Sequence, residues 1–381
     1  MVKINNVHVF YALLGALLVV LVVNFSLSAT LSDEINKNAE AAGEQARPAE
    51  IAIVKISAPD CPGCFDIENF VSQLKSQGVS VKSERALSAG SSEARQLISK
   101  YQIDKLPVAI VSGEVGKTDA LKSFFSSMGE FRDSGKTFVF GRQELPYYTL
   151  GGNRVAGAVK IISLEANDCK PCVGFQSLVD ALIQNNVKIA GEKRLGYNSA
   201  EGQALIRNYG IKAVPAILVS KEIDDYEKLR EGWRQLNATL KGDYYAFSAI
   251  FPPYIDLSAN KTVGLVSVIY LNDSGCAQCY DVKFHNRILL NFGLQPYEEK
   301  EVDISSAYGK ELLARYNIKS VPTILLSPET AYYKQLDSAW YQVGTKANDS
   351  WYVFRNLSVP GLFPYKNLAT NALVNNSTGT G

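Results

Sequence analysis

The sequence predicts an α/β chain in which one N-terminal apolar helix precedes three tandem copies of a strand–helix unit. Three observations predict it. All six cysteines fall in Cys-x-x-Cys pairs, Cys61/Cys64, Cys169/Cys172 and Cys276/Cys279, whose first members lie 108 and 107 residues apart. Each pair is followed by a proline, Pro107, Pro215 or Pro322, always 46 residues after the first cysteine. Residues 7–23 (VHVFYALLGALLVVLVV) carry no Asp, Glu, Lys or Arg. A fixed internal period marks a repeated supersecondary unit, and 381 residues exceed one ordinary domain.

The apolar run approaches the roughly 20 residues that cross a bilayer. It is longer than the core of about 7–15 residues usual in a cleaved signal peptide. Residues 1–29 are therefore read as a transmembrane anchor, with cleavage near residues 26–29 and secretion as the alternative. Lys3 precedes the run and Asp33 and Glu34 follow it, which predicts a cytoplasmic N-terminus and extracytoplasmic domains. Sequons at Asn237, Asn260, Asn272, Asn348 and Asn356 are compatible with export. Residues 30–49 read as a polar stalk, partly helical, ending near Pro48.

The repeated elements follow in order. A β-rich run enters each cysteine pair (51–57, 159–164, 263–271), and a helical pattern leaves it (65–74, 173–183, 280–290). A second strand follows at 79–83, 187–190 and 295–302. The next helix is opened by Ser91/Ser92, Asn198/Ser199 or Ser305/Ser306, side chains suited to capping. The proline then starts a strand at 108–112, 216–220 and 323–327. Alternating strands and helices imply parallel crossovers. Beyond it come a helix (118–128, 226–239, 329–343), an aromatic strand (137–140, 244–247, 351–354) and a Pro/Tyr segment near Tyr147, Tyr254 and Tyr365. The third copy keeps that segment with no copy after it, so it belongs to the repeat. The expected boundaries are 50–157, 158–262 and 263–370, with a flexible tail at 371–381.

Composition narrows the function. A net charge of +1 and the absence of a basic run with interleaved aromatics exclude a nucleic-acid surface. Only His8 and His285 occur, so no mechanism can use a histidine base in every copy. With no cysteine left over for a long-range staple, the pairs point to redox chemistry or metal binding. Two cysteines per copy make half a zinc site at most, and no metal site is expected.

The order strand, Cys-x-x-Cys, helix, strand, helix, then Tyr-x-Ile-x-x-Leu/Val-Pro and a strand resembles thioredoxin. It covers about 65 residues of each copy, and the third is nearest, through YNIKSVPTILL at 316–326. The fold class expected is thus α/β, three tandem thioredoxin-like domains behind one transmembrane helix. The first copy, with only a stalk before Ile51, is similar to the shorter glutaredoxin-type core. Several such domains on one exported chain resemble protein disulfide isomerases. The departure is the order after the proline strand: thioredoxin closes with strand, strand, helix, and this chain either swaps that order or adds an extra piece.

The resemblance implies a thiol–disulfide oxidoreductase or isomerase whose redox-active disulfides need no other cofactor. Its partners would be exported protein thiols and disulfides and a redox partner in the membrane or in solution. Cysteines three apart at a helix start can close a disulfide, and free helix amides would favour the first thiolate. Cys61, Cys169 and Cys276 are therefore expected to attack, and Cys64, Cys172 and Cys279 to resolve. By resemblance Pro107, Pro215 and Pro322 are cis, and Leu106, Val214 and Val321 before them would pair with an extended substrate. The intervening dipeptides, Pro62-Gly63, Lys170-Pro171 and Ala277-Gln278, differ and so predict different potentials. Lys170 and Lys55 are candidate modulators of thiol acidity. Where thioredoxin has a buried carboxylate six residues before the first cysteine, this chain has Lys55, Ser163 and Tyr270. Glu165 and Asp273 are the candidate substitutes. The missing carboxylate leaves open a protein-binding role, chaperone or scaffold, with slow redox chemistry, and more remotely metal handling.

Overall fold

The computed structural model describes residues 6–58, 61, 63–235, 239–248, 251–357, 362 and 364–375. Lys3, Pro62, Asn237 and the last six residues of the expected tail lie outside them. The chain divides into two compact units, Met1–Ala156 and Gly157–Gly381; the first holds one copy of the repeat and the second holds two.

A single helix spans Asn6–Ala46. From Leu14 it carries a stretch apolar and long enough to cross a membrane by length and composition, with a mean hydropathy of 2.2 over 18 residues. Its apolar side chains are exposed, Phe25 at 78%. The expected stalk continues this helix, since nothing breaks the run of Ala, Glu and Asn before Pro48. Arg47 then ties the helix end to the first copy through Glu114 at 2.5 Å.

Each copy is a five-stranded sheet of one design. In the first, the order is Ser80–Ser88, Glu50–Ser57, Val108–Gly113, Thr137–Phe140, Gly129–Arg132. The first two strands are parallel and the rest antiparallel. The second copy builds the same order on Ala158–Glu165 and Ala216–Ser220, and the third on Ser267–Asn272 and Thr323–Leu326. Strand order, parallel crossover and the cysteine turn at the end of the second-position strand make each copy thioredoxin-like. The central strands are apolar throughout, Val108 to Val111 being all buried, as befits strands covered on both faces. Helix Ile67–Lys75 turns Ile67, Phe70, Val71 and Leu74 to this core. Ser91, Ser199 and Ser306 cap the next helices, accepting from the N–H of Ala94, Gly202 and Gly309.

The helix after the proline strand does precede the aromatic strand. In the third copy it is broken, with Lys334–Ala339 lying between the 3-10 turns Pro328–Tyr332 and Trp340–Gln342. Between that helix and the aromatic strand each copy inserts an edge strand, Gly129–Arg132, Thr239–Lys241 or Gly344–Lys346. These are too short to show a periodicity, and the sequence reading placed no strand there.

The Pro/Tyr segment opens a hairpin in every copy: Tyr147–Thr149 with Arg154–Ala156, Tyr254–Asp256 with Lys261–Val263, and Tyr365–Asn367 with Ala372–Val374. Asn153, Asn260 and Asn371 take positive φ (46°, 48°, 58°) just before the return strand, a conformation asparagine tolerates. Two expected boundaries change accordingly. The third copy runs past 370 into the expected tail, because Ala372–Val374 is a paired strand. The second copy's hairpin ends at Val263, past the expected 262. Gly157 and Gly264 (φ 72° and 81°) then lead toward the next strands, which begin at Ala158 and Ser267. The N–H of Gly157 bonds Asp225 and its carbonyl accepts from Tyr226, at 2.8 and 2.7 Å. Gly264 is held the same way by Glu329 and Tyr333, at 2.6 and 3.1 Å.

Candidate functional site

All three cysteine pairs are closed as disulfides, with Cα–Cα 5.4 Å in each. Each pair forms its own turn, the second cysteine's N–H donating to the first one's carbonyl at 3.2, 3.2 and 3.0 Å. The α-helix does not begin at this turn, contrary to the expectation. It starts at Ile67, Gln176 and His285, the last after a 3-10 turn at Val282–Phe284. In the first and third copies the residue after the second cysteine sends its N–H to a hairpin proline: Phe65 to Pro146 O (2.7 Å) and Tyr280 to Pro364 O (2.8 Å). Asp66 and Asp281 then cap the next turn, accepting from Glu68 N and Lys283 N. The free helix amides that would have favoured the Cys61, Cys169 and Cys276 thiolates lie beyond the cysteines, so that argument for their acidity loses its geometry.

The peptide bonds before Pro107, Pro215 and Pro322 are cis, as are those before Pro146 and Pro253. Leu106, Val214 and Val321, expected to present a free edge to substrate, are already paired. Their partners are Tyr148, Ile255 and Lys366 of the hairpin in the same copy. Two residues further on, Leu150 N, Leu257 N and Leu368 N donate to Asp104 O, Lys212 O and Lys319 O at 2.9, 2.9 and 2.8 Å. Antiparallel alternation then assigns both the N–H and the C=O of the residue before the proline to the hairpin. Leu106, Val214 and Val321 are each 0% exposed. The hairpin takes the place where an added substrate strand would lie.

The position six residues before the first cysteine differs in every copy. Lys55 does not end free in solvent: its Nζ binds Glu68 at 2.6 Å and Glu84 at 2.7 Å. These hydrogen bonds, Glu68 first, raise its pKa above the ordinary lysine value, and the two carboxylates neutralise the charge that was to act on Cys61. Tyr270 is fully buried and donates to Asn286. Burial pushes its phenol well above the usual range, so it stays neutral and accepts no proton. Ser163 lines a cleft described below. Of the two candidate substitutes, Asp273 is bound to Lys366 of the hairpin at 2.6 Å, the side chains 10% and 24% exposed. Glu165 lies 3.6 Å from Arg194. Lys170 is exposed.

Sequence reading missed Tyr280 and His285. The Tyr280 hydroxyl donates to Pro322 O at 2.8 Å and meets His285 Nε2 at 3.0 Å, fixing the cis-proline's carbonyl from below. Burial pushes the tyrosine up and the imidazole down to about 4. His285 is therefore a neutral core residue, packed 4.6 Å from the Phe354 ring. Gln143 Nε2 bonds Pro107 O at 3.2 Å in the first copy.

The second copy differs at its cysteines. Cys169 is 6% exposed, in an apolar cluster with Ala166, Val214 and Ile255. Cys172 is half-buried and lines a cleft of about 220 Å³ with Ser163, Glu165, Gln176, Arg194 and Pro215. Among the described residues no group of three or more His, Cys, Asp or Glu side chains could hold a metal ion.

No family model matches the chain, and no curated protein matches it. Among solved structures it is similar to ERdj5 form II, at 12% identity and a TM-score of 0.16, over 78% of this chain and 42% of that one. It is also similar to a protein disulfide oxidoreductase from Aeropyrum pernix K1, at 16% identity and a TM-score of 0.14, over 53% and 93%. Human ERp44 form II matches at 12% identity and a TM-score of 0.13, over 74% and 77%. The chain spans about two fifths of the length of the ERdj5 chain. By strand order, cysteine turn and cis-proline, the chain is a tandem of three thioredoxin-like domains, each with one Cys-x-x-Cys disulfide.

Proposed function

We propose that the chain is a membrane-anchored thiol–disulfide oxidoreductase or isomerase acting outside the cytoplasm on exported proteins. One observation carries the reading: in three copies a Cys-x-x-Cys disulfide recurs at the same place in a thioredoxin-like sheet that also holds a cis-proline. The apolar N-terminal helix supports the anchor. In the first and third copies Cys61 and Cys276 attack and Cys64 and Cys279 resolve. Partners would present a thiol or disulfide from a folded surface, because Leu106, Val214 and Val321 have no free edge to offer an extended segment.

The test is turnover of insulin disulfides and of scrambled ribonuclease by the full chain in detergent, against a variant with all six cysteines changed to serine. Activity lost in the variant supports the reading; equal rates contradict it. A membrane-impermeant maleimide that labels the reduced cysteines in intact cells supports the topology, and labelling only after lysis contradicts it. The second reading, a protein-binding module with slow redox chemistry, is favoured by Lys55 and Tyr270 standing where a proton acceptor is needed. Turnover no faster than free dithiothreitol would select it.

A further inference from the structure

We propose that in the second copy the reacting sulfur is Cys172, not Cys169, and that its partner is a low-molecular-weight amino-thiol carrying a carboxylate. This rests on the redox reading of the pair. Thiol exchange requires a sulfur to be reached along the S–S axis, and here only one side is open. Cys169 is covered by Ala166, Val214 and the hairpin's Ile255. Cys172 faces the cleft.

In this copy the residue after the second cysteine does not cover the turn, and the cleft is lined instead by Gly174 and Phe175. After the second cysteine the first copy has Phe65, stacked on Phe140 at 5.6 Å, and the third has Tyr280, 8% exposed. The second has Val173, 79% exposed, followed by Gly174 with no heavy atom near its missing side chain. At about 220 Å³ the space is below the range of roughly 300–1,000 Å³ usual for drug-sized ligands, and suits something the size of one amino acid. Its polar side chains carry both signs. Arg194 is held by Glu192 at 2.8 Å and Gln176 at 2.6 Å and lies 3.6 Å from Glu165, so a ligand carboxylate would replace Glu165 at the guanidinium and free that glutamate to take the ligand's ammonium. An extended peptide finds no strand edge here, since Val214 is paired with Ile255.

In the step, the thiolate of the amino-thiol attacks Cys172 Sγ. A mixed disulfide forms at Cys172, the Cys169–Cys172 bond breaks, and Cys169 leaves as a thiolate that takes up a proton. A second amino-thiol displaces the first as its disulfide, leaving both cysteines reduced and two thiols oxidised. The reverse sequence reduces the small disulfide.

The test uses the full chain in detergent with the other four cysteines changed to serine. Free cysteine, cysteamine and an unstructured decapeptide with one cysteine are compared at equal thiolate concentration for opening the disulfide. Cysteine is expected to react at least tenfold faster than the peptide. Arg194→Gln should slow cysteine about tenfold and leave cysteamine, which has no carboxylate, unchanged. With cystine as the probe, reduced Cys169→Ser should form the mixed disulfide at least tenfold faster than reduced Cys172→Ser. Leu257→Pro, which removes the N–H bonded to Lys212 O, should raise the peptide rate alone. Peptide as fast as cysteine, or faster capture at Cys169, overturns the proposal while the redox reading stands. If no thiol opens the disulfide, both fall.

Discussion

The second and third copies share one sheet order and one hairpin, yet they fasten that hairpin to the cysteine turn by different chemistry. Three residues before the first cysteine the third copy has Asp273, bound to Lys366 of the hairpin at 2.6 Å. At those two positions the second copy has Ala166 and Ile255, 7% and 5% exposed in one apolar cluster. Below the proline the third copy has the Tyr280–His285 pair, where the second has exposed Val173 and part-buried Leu178. The same closure of the cis-proline edge is thus reached by an ion pair and a buried hydroxyl in one copy and by plain apolar packing in the other. What the two arrangements have in common is the backbone pairing, and what they leave different is the first cysteine, buried at Cys169 and half-buried at Cys276, with a cleft beside Cys172.

The comparison can be broken at His285 with the largest effect. Its imidazole is held neutral, down to about 4 in the folded chain, against about 6.5 unfolded. Between those values the unfolded chain binds the proton and the folded one does not. The His285 contribution to the third copy's stability is therefore full above about pH 6.5 and is lost as pH drops toward 4, about 3 kcal/mol in all. Urea midpoints from pH 7 to 4.5 check this, and His285→Gln should flatten the slope. Next, Lys366→Met leaves Asp273 nearly buried without its cation and should cost about 2 kcal/mol, an effect reduced by salt. Ile255→Ala should cost a similar 2–3 kcal/mol in the second copy, with no salt dependence. Equal salt responses would erase the distinction drawn here.

Smaller effects sharpen it. Ser199→Ala and Ser306→Ala remove equivalent caps and should each cost about 1 kcal/mol, equally in both copies because the difference lies elsewhere. Smallest of all, Lys55→Ala should leave the pH profile of Cys61 alkylation unmoved, since that ammonium is spent on Glu68 and Glu84.

Much of this was legible in the residues. The 46-residue spacing located the copies, the cysteine pairs and the prolines, the resemblance to thioredoxin implied that those prolines are cis, and the caps at Ser91, Ser199 and Ser306 were visible as Ser before a helical run. The helix start was not, because Phe65 and Tyr280 continue the apolar period while their N–H groups turn to prolines some 80 residues away. Nor was the hairpin pairing. A two-residue strand such as Ala213–Val214 has no pattern of its own, and its partner lies beyond a helix and three strands. The recurring asparagines at 153, 260 and 371 were the one local sign of a tight return. Asp273 and Lys366 lie 93 residues apart, so only the fold could bring them together.

The central claim, that each copy fills its own cis-proline edge, is tested most directly by amide hydrogen exchange of the full chain. Peptides covering 147–156, 254–263 and 365–374, and those covering Leu106, Val214 and Val321, should exchange as slowly as the sheet strands beside them. Exchange at the rate of open loops in these segments would contradict the account, returning Leu106, Val214 and Val321 to a free edge for substrate.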